Sequence, residues 1–189
     1  SFLDAGGVRD GLEIRVEKRI PAGAGLGGGS SDAASTLSAL NRMYGFPLSE
    51  EELSNMGAAV GSDVPFFLGG ACAIVSGRGE RVESFEGRTD FSVLVLFPGF
   101  AISTAQAYAA VDESRGATAS RSPIAGRQGV SAEWLRREYG KSPELWRFRN
   151  DFQEALAPKN PEFGQAYTAL VEAGSDYASL TGSGSAFFG

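Results

Sequence analysis

The groups in this sequence best suited to chemistry are backbone groups. From Pro21 to Ser35 the chain reads PAGAGLGGGSSDAAS, with five glycines between Gly23 and Gly29, followed by Ser30 and Ser31. Ordering so much glycine costs conformational entropy, so the run is expected to do something other residues cannot. Successive N–H groups of such a run form a concave nest around an anion, and glycine lets that backbone approach closely. A helix starting directly behind it adds unpaired N–H groups and a partial positive charge. The chemistry implied is phosphate binding, with hydroxyl donors at Ser30 and Ser31. Three other readings compete. One is a slack loop. Another is a dinucleotide fingerprint, because Gly23-x-Gly25-x-x-Gly28 matches G-x-G-x-x-G. The segment before it alternates in polarity, however, whereas a central parallel strand is apolar throughout, and no acidic strand end follows at the required distance. The third is a P-loop, which fails because no Gly-Lys-Ser/Thr follows.

Composition removes several alternatives. The chain of 189 residues contains no histidine, which excludes His-based acid–base catalysis, Ser–His–Asp triads and most zinc sites. The single cysteine, Cys72, excludes an internal disulfide framework and fits a reducing, cytoplasmic setting. A net charge of −6 argues against a broad nucleic-acid face, but not against a small anion held by N–H groups. No run of apolar residues is long enough to span a membrane.

The elements that must position the run can be read from periodicity. Leu12, Ile14, Val16 and Ile20 alternate with Glu13, Arg15, Glu17 and Arg19, which predicts a half-buried strand with Lys18 interrupting its apolar side. After the glycines, Ala33, Ala34, Leu37, Leu40 and Tyr44 share a helical face that Gly45 and Pro47 end. Ser49 and Glu52 make a capping box for a second helix, with Leu53, Met56 and Val60 facing inward. The stretch GSDVPFFLGG reads as a loop in which Pro65 holds Val64 extended. Short strands are expected at 71–76 and 81–85, then a linker at 85–90. The apolar run FSVLVLF (91–97) reads as a strand buried on both faces. A helix after Ser103 carries Tyr108 and Val111, and residues 112–129 read as a loop. Helices are expected at 131–139, 150–157 and 162–173, with strands flanking a final glycine turn. The organisation is α+β, with domains at 1–88 and 89–189.

Three segments, in order, resemble the GHMP small-molecule kinases. They are PAGAGLGGGSSDAAS, GSDVPFFLGGACAIVSGRGE (61–80) and SLTGSGSAFFG (179–189), with RNDFQ (149–153) as a further match. The resemblance covers the chain from Gly11 to Gly189. It implies the GHMP fold, with an N-terminal domain like that of a ribosomal protein and a ferredoxin-like C-terminal domain, both incomplete here. It also implies transfer of the ATP γ-phosphoryl group to an alcohol. ATP and Mg2+ are the cofactors it brings, and no nucleic acid or membrane partner. Pro21, Gly23, Gly25, Leu26, Gly27, Gly28, Gly29, Ser30 and Ser31 would hold the ATP phosphates, with Ser31 able to reach the magnesium ion. N-capping of the next helix is the alternative role for both serines. Asp63 matches the catalytic aspartate, which orients or deprotonates the acceptor hydroxyl; its plain alternative is a turn residue ahead of Pro65. Tyr108, Gly182 and Gly184 would line the acceptor site, although Tyr108 reads equally well as a core aromatic. Three glycines before the serines imply, within the family, a cytidine diphosphate methylerythritol acceptor of non-mevalonate isoprenoid synthesis.

The family's N-terminal segment, with its catalytic lysine, has no match before Gly11, and SFLDAGGVRD reads as a helix end and a turn. The expectation is therefore the middle of a longer enzyme, inactive by itself. The alternatives are a GHMP kinase for a mevalonate-type or homoserine acceptor, a non-catalytic nucleotide-binding domain, and an RNA-binding module. The acidic balance disfavours the last.

Overall fold

Local capping signals place several of the helices. A computed structural model describes residues 2–7, 11–118 and 130–189. The chain divides into two units, Ser1–Ile20 with Gly27–Asp90, and Pro21–Leu26 with Phe91–Gly189.

In the first unit, α1 (Phe2–Ala5) buries Phe2 and ends in a turn, as the sequence predicts. Helix α2 (Gly28–Met43) begins inside the glycine run and buries Ala34, Leu37 and Leu40 on the expected face. Helix α3 (Glu50–Val60) opens on the expected capping box: Glu52 N–H donates to Ser49 Oγ, and Ser49 N–H donates to Glu52 Oε2 at 2.8 Å. The Ser49 N–H and the Ser49 hydroxyl both donate to the Glu52 carboxylate, and these bonds hold it below its usual range. Strands β1 (Ala73–Ser76) and β2 (Arg81–Ser84) form an antiparallel hairpin, Ala73 opposite Ser84. The core gathers Phe2, Leu37, Leu40, Leu48, Leu53 and Val64.

Buried Asn41 closes the turn after α2. Its Nδ2 donates to Leu48 O at 2.9 Å, and its Oδ1 accepts from Leu48 N–H at 3.0 Å, so one side chain imitates a strand partner. Asn41→Ala leaves both backbone groups of Leu48 unpaired in the core. The expected result is a loss of about 2–4 kcal/mol in a denaturant melt, with the helical circular dichroism of the remaining native protein unchanged.

Three expectations fail in this unit. Residues 11–20 form no strand. Their side chains do alternate as an extended chain requires, since Arg15 pairs with Glu13 and Arg19 with Glu17, two residues apart. No described strand lies beside them, and Leu12, Ile14, Val16 and Ile20 are 37 to 56% exposed. Alternation specifies an extended segment; a ladder needs a neighbour elsewhere in the chain. Val60, expected inward, is 63% exposed at the end of α3. The segment read as a loop contains helix α4 (Val64–Leu68), with Pro65 in its first turn. A proline is tolerated there because its missing N–H has no intrahelical acceptor at that position.

In the second unit, β3 (Val95–Leu96), β4 (Ser179–Leu180) and β5 (Phe187–Phe188) form an antiparallel sheet of order β3-β5-β4. Around it lie α5 (Thr104–Thr118), α6 (Ala132–Tyr139), α7 (Asp151–Leu156) and α8 (Pro161–Glu172). The core holds Val111, Leu156, Phe163, Leu170, Leu180 and Phe187. Two expectations are corrected. The run 91–97 is not buried on both faces: Val93, Leu94 and Val95 are about half exposed, because β3 is an edge strand. Continuous apolarity reports what a strand would tolerate burying, and not which layers exist to cover it. The polar stretch from Asp112 continues α5 as far as Thr118; the remainder of the expected loop, 119–129, lies outside the described residues.

Glu138 is a buried carboxylate in α6. It accepts from Lys141 Nζ at 2.6 Å and from Arg147 N–H at 2.8 Å, and the Lys141 bond chiefly lowers its pKa. Beside it the Trp146 ring meets Phe91, Tyr139, Phe148 and Tyr177 at centroid distances of 5.4 to 5.8 Å. These contacts make Trp146 a packing residue of the second unit.

Candidate functional site

Gly23, Gly25 and Gly27 are left-handed, with φ of 69°, 73° and 66°, and they alternate with Ala24 and Leu26, which are not. Such alternation turns successive N–H groups toward one side, which is the geometry of an anion nest. Gly27 is the N-cap of α2, and no side chain caps that helix. A side chain at Gly27 would strike the Phe67 ring, whose Cζ lies 2.5 Å from where its Cβ would stand. The first intrahelical bond runs from Ser31 N–H to Gly27 O at 2.9 Å. The N–H groups of Gly28, Gly29 and Ser30 therefore precede any intrahelical acceptor and are available to a ligand.

The capping role considered for Ser30 and Ser31 does not occur. Both lie inside the first turn, because the left-handed Gly27 starts the helix before either is reached. Ser31 Oγ donates to Gly28 O at 2.9 Å, which spends its proton and leaves its oxygen lone pairs open. In the same turn Asp32 pairs with Lys18, the residue that interrupted the apolar side of the preceding segment. Both partners are largely solvated, so the pair adds little stability.

The earlier half of the loop belongs to the second unit. Ala24 O accepts from Ala186 N–H at 2.9 Å, and Gly25 O accepts from Thr181 Oγ1 at 2.9 Å. The final glycine motif thus lies directly against the first one. Gly182 and Gly184 are both left-handed there, with φ of 52° and 88°. In the sequence, a hydroxyl adjoining a glycine turn is the only signal Thr181 gives.

Asp63 immediately precedes α4, and α4 packs on α2. Its side chain makes no capping bond and is exposed; its Oδ1 accepts from Ser62 Oγ at 3.3 Å. The β1–β2 turn supports it from behind, since a Cβ on Gly79 would stand 2.5 Å from Ser62 O. Tyr108 is 57% exposed on α5 and meets Phe152 edge-on at 5.0 Å, so it is no core aromatic. Pro21 is exposed at the loop's start and Leu26 half-buried. No cluster of three or more metal-ligating side chains occurs among the described residues.

Residues 1–71 match the family model for the GHMP kinases N terminal domain. This part of the chain is similar to the N-terminal domain of the GHMP kinases. The match begins at residue 1, so the family likeness extends through the first ten residues, where the motifs alone showed none. Across its whole length the chain is 43% identical to a 4-diphosphocytidyl-2-C-methyl-D-erythritol kinase of Prosthecochloris aestuarii and covers 64% of that protein. It is 38% identical to the enzyme of the same name from Treponema pallidum, covering 65% of it. A crystal structure of 4-(cytidine 5'-diphospho)-2C-methyl-D-erythritol kinase superimposes on the entire chain with a TM-score of 0.73 and 34% identity, the chain covering 65% of it. The α+β GHMP architecture expected from the motifs is thus shared with a solved kinase. The chain spans just under two thirds of the length of these relatives. No helix among its described residues is long and apolar enough to cross a membrane.

Proposed function

We propose that the protein is an ATP-dependent kinase of the non-mevalonate isoprenoid route, acting in the cytoplasm on the 2-hydroxyl of 4-diphosphocytidyl-2-C-methyl-D-erythritol. The observation that carries the reading is the alternating left-handed run of Gly23, Gly25 and Gly27, which ends at the open N–H groups of α2. The named relatives supply the choice of acceptor.

In this reading the N–H groups of Gly28, Gly29 and Ser30 hold phosphate oxygens. The Ser31 oxygen, its proton already given to Gly28 O, is free to face the magnesium ion. That ion would neutralise charge spread over the transferring phosphoryl group. Asp63 accepts the acceptor's hydroxyl proton as the new oxygen–phosphorus bond forms and the bond to the β-phosphate oxygen breaks, releasing ADP. Its exposure leaves the carboxylate accessible to a substrate oxygen. The exposed face of Tyr108 offers a ring for the cytosine, and Gly182 and Gly184 let backbone approach the ligand.

The test is ADP release by the full-length protein with the cytidyl-methylerythritol substrate, mevalonate and homoserine in parallel. Turnover confined to the first is expected; turnover only with mevalonate or homoserine overturns the acceptor assignment.

A further inference from the structure

Two glycine turns must keep their shape together if the first is to cradle phosphate, and one side chain controls the second. Asn150 precedes α7 and is bonded in three directions. Its Oδ1 accepts from Phe152 N–H at 2.9 Å, which caps the helix. Its Nδ2 donates to Leu180 O and to Gly182 O, each at 2.8 Å. The two carbonyls flank Thr181, the residue whose hydroxyl reaches Gly25 O. Gly25 in turn has no room to shift, since a Cβ there would stand 2.2 Å from Thr181 O and 2.9 Å from Gly184 N. Gln153, one turn on, accepts from Leu180 N–H at 2.8 Å and holds the strand that leads into the turn. The path from Asn150 to the first glycine turn is thus continuous: amide, carbonyls, Thr181 hydroxyl, Gly25 carbonyl.

We propose that Asn150 is a positioning residue for the phosphate-binding loop, acting through the Thr181–Gly184 turn, an inference that rests on the ATP reading above. An amide is required there because one oxygen must accept while the nitrogen supplies two protons to two carbonyls. Aspartate has the same shape and caps a helix equally well, but it would turn an acceptor oxygen toward both carbonyls.

Asn150→Asp therefore separates the clamp from the cap. Three measurements on wild type and variant decide it: the thermal melt, hydrogen exchange of the segment 181–186, and calorimetric binding of a non-hydrolysable ATP analogue with magnesium. The expected result is a near-native melt, with exchange in 181–186 faster and the analogue bound more weakly, each by about tenfold. Asn150→Ser, which keeps a capping oxygen without the repulsion, is expected to fall between the two and covers the case where the aspartate variant does not fold. Wild-type exchange and affinity in both variants overturn the proposal. Faster exchange with unaltered affinity overturns it as well, because the turn would then not position the loop. Failure of the wild-type protein to bind the analogue overturns the ATP reading instead.

Discussion

Gly25→Ala is expected to abolish measurable nucleotide binding and to destabilise the protein by more than about 3 kcal/mol. Two independent effects act at this position. The backbone is left-handed, with φ of 73°, which disfavours any L-residue by about 1 kcal/mol or more. The new methyl would also stand 2.2 Å from Thr181 O and 2.9 Å from Gly184 N. Both neighbours are backbone, so neither can move aside by changing a rotamer. Relief requires the two turns to part, which breaks the Thr181–Gly25 and Ala186–Ala24 bonds. Gly29→Ala is the matched comparison. Gly29 lies in the first turn of α2, has ordinary helical φ, and has nothing within 4 Å of an added Cβ. Its melt is expected to equal wild type or rise slightly, by up to about 1 kcal/mol. A glycine run serving only as a slack hinge would make the two variants alike, so equal melting of Gly25→Ala and Gly29→Ala would defeat this account.

Asp63→Asn is expected to lower kcat by about 10²–10⁴-fold while changing the KM for ATP by less than about threefold. Asparagine matches aspartate in size and cannot take a proton from the acceptor hydroxyl. The local structure gives Asp63 little else to do: it makes no cap bond to α4, it is exposed, and its Oδ1 accepts a long bond from Ser62. The melt should therefore stay within about a degree of wild type. Steady-state kinetics with saturating acceptor, together with a thermal melt, check both halves. Full turnover by Asp63→Asn would remove the aspartate from the mechanism; a large drop in melting temperature would make it a structural residue.

What could be read along the chain was local. The Ser49–Glu52 capping box, the apolar stripe of α2 and the hairpin at 73–84 all depend on residues a few positions apart, and each stands close to where periodicity put it. The glycine run could be read as suited to an anion for the same reason, because N–H direction follows from the backbone of consecutive residues, and its glycines are left-handed in alternation. The places where reading failed are those where a partner distant in sequence decides. Alternation in 11–20 specified an extended chain, but only a neighbouring strand makes a ladder. The apolarity of 91–97 suited burial, but the edge position of β3 left it half exposed. Val64–Leu68 is the local exception: it became a helix despite Pro65, since helix starts do not need that N–H.

By itself, the sequence marked the Gly23–Ser31 run as a backbone suited to an anion, kept histidine chemistry out of these 189 residues, and showed which segments resemble GHMP kinase motifs. Those follow from residue types and their spacing. Only the tertiary structure decided that Gly27 and not a serine starts α2, that Gly79 backs the Asp63 segment, and that Thr181 and Asn150 hold the last glycine turn against the first. These are contacts across as many as 156 residues of chain. Their existence depends on which surfaces meet on folding, and that is information no short window of residues contains.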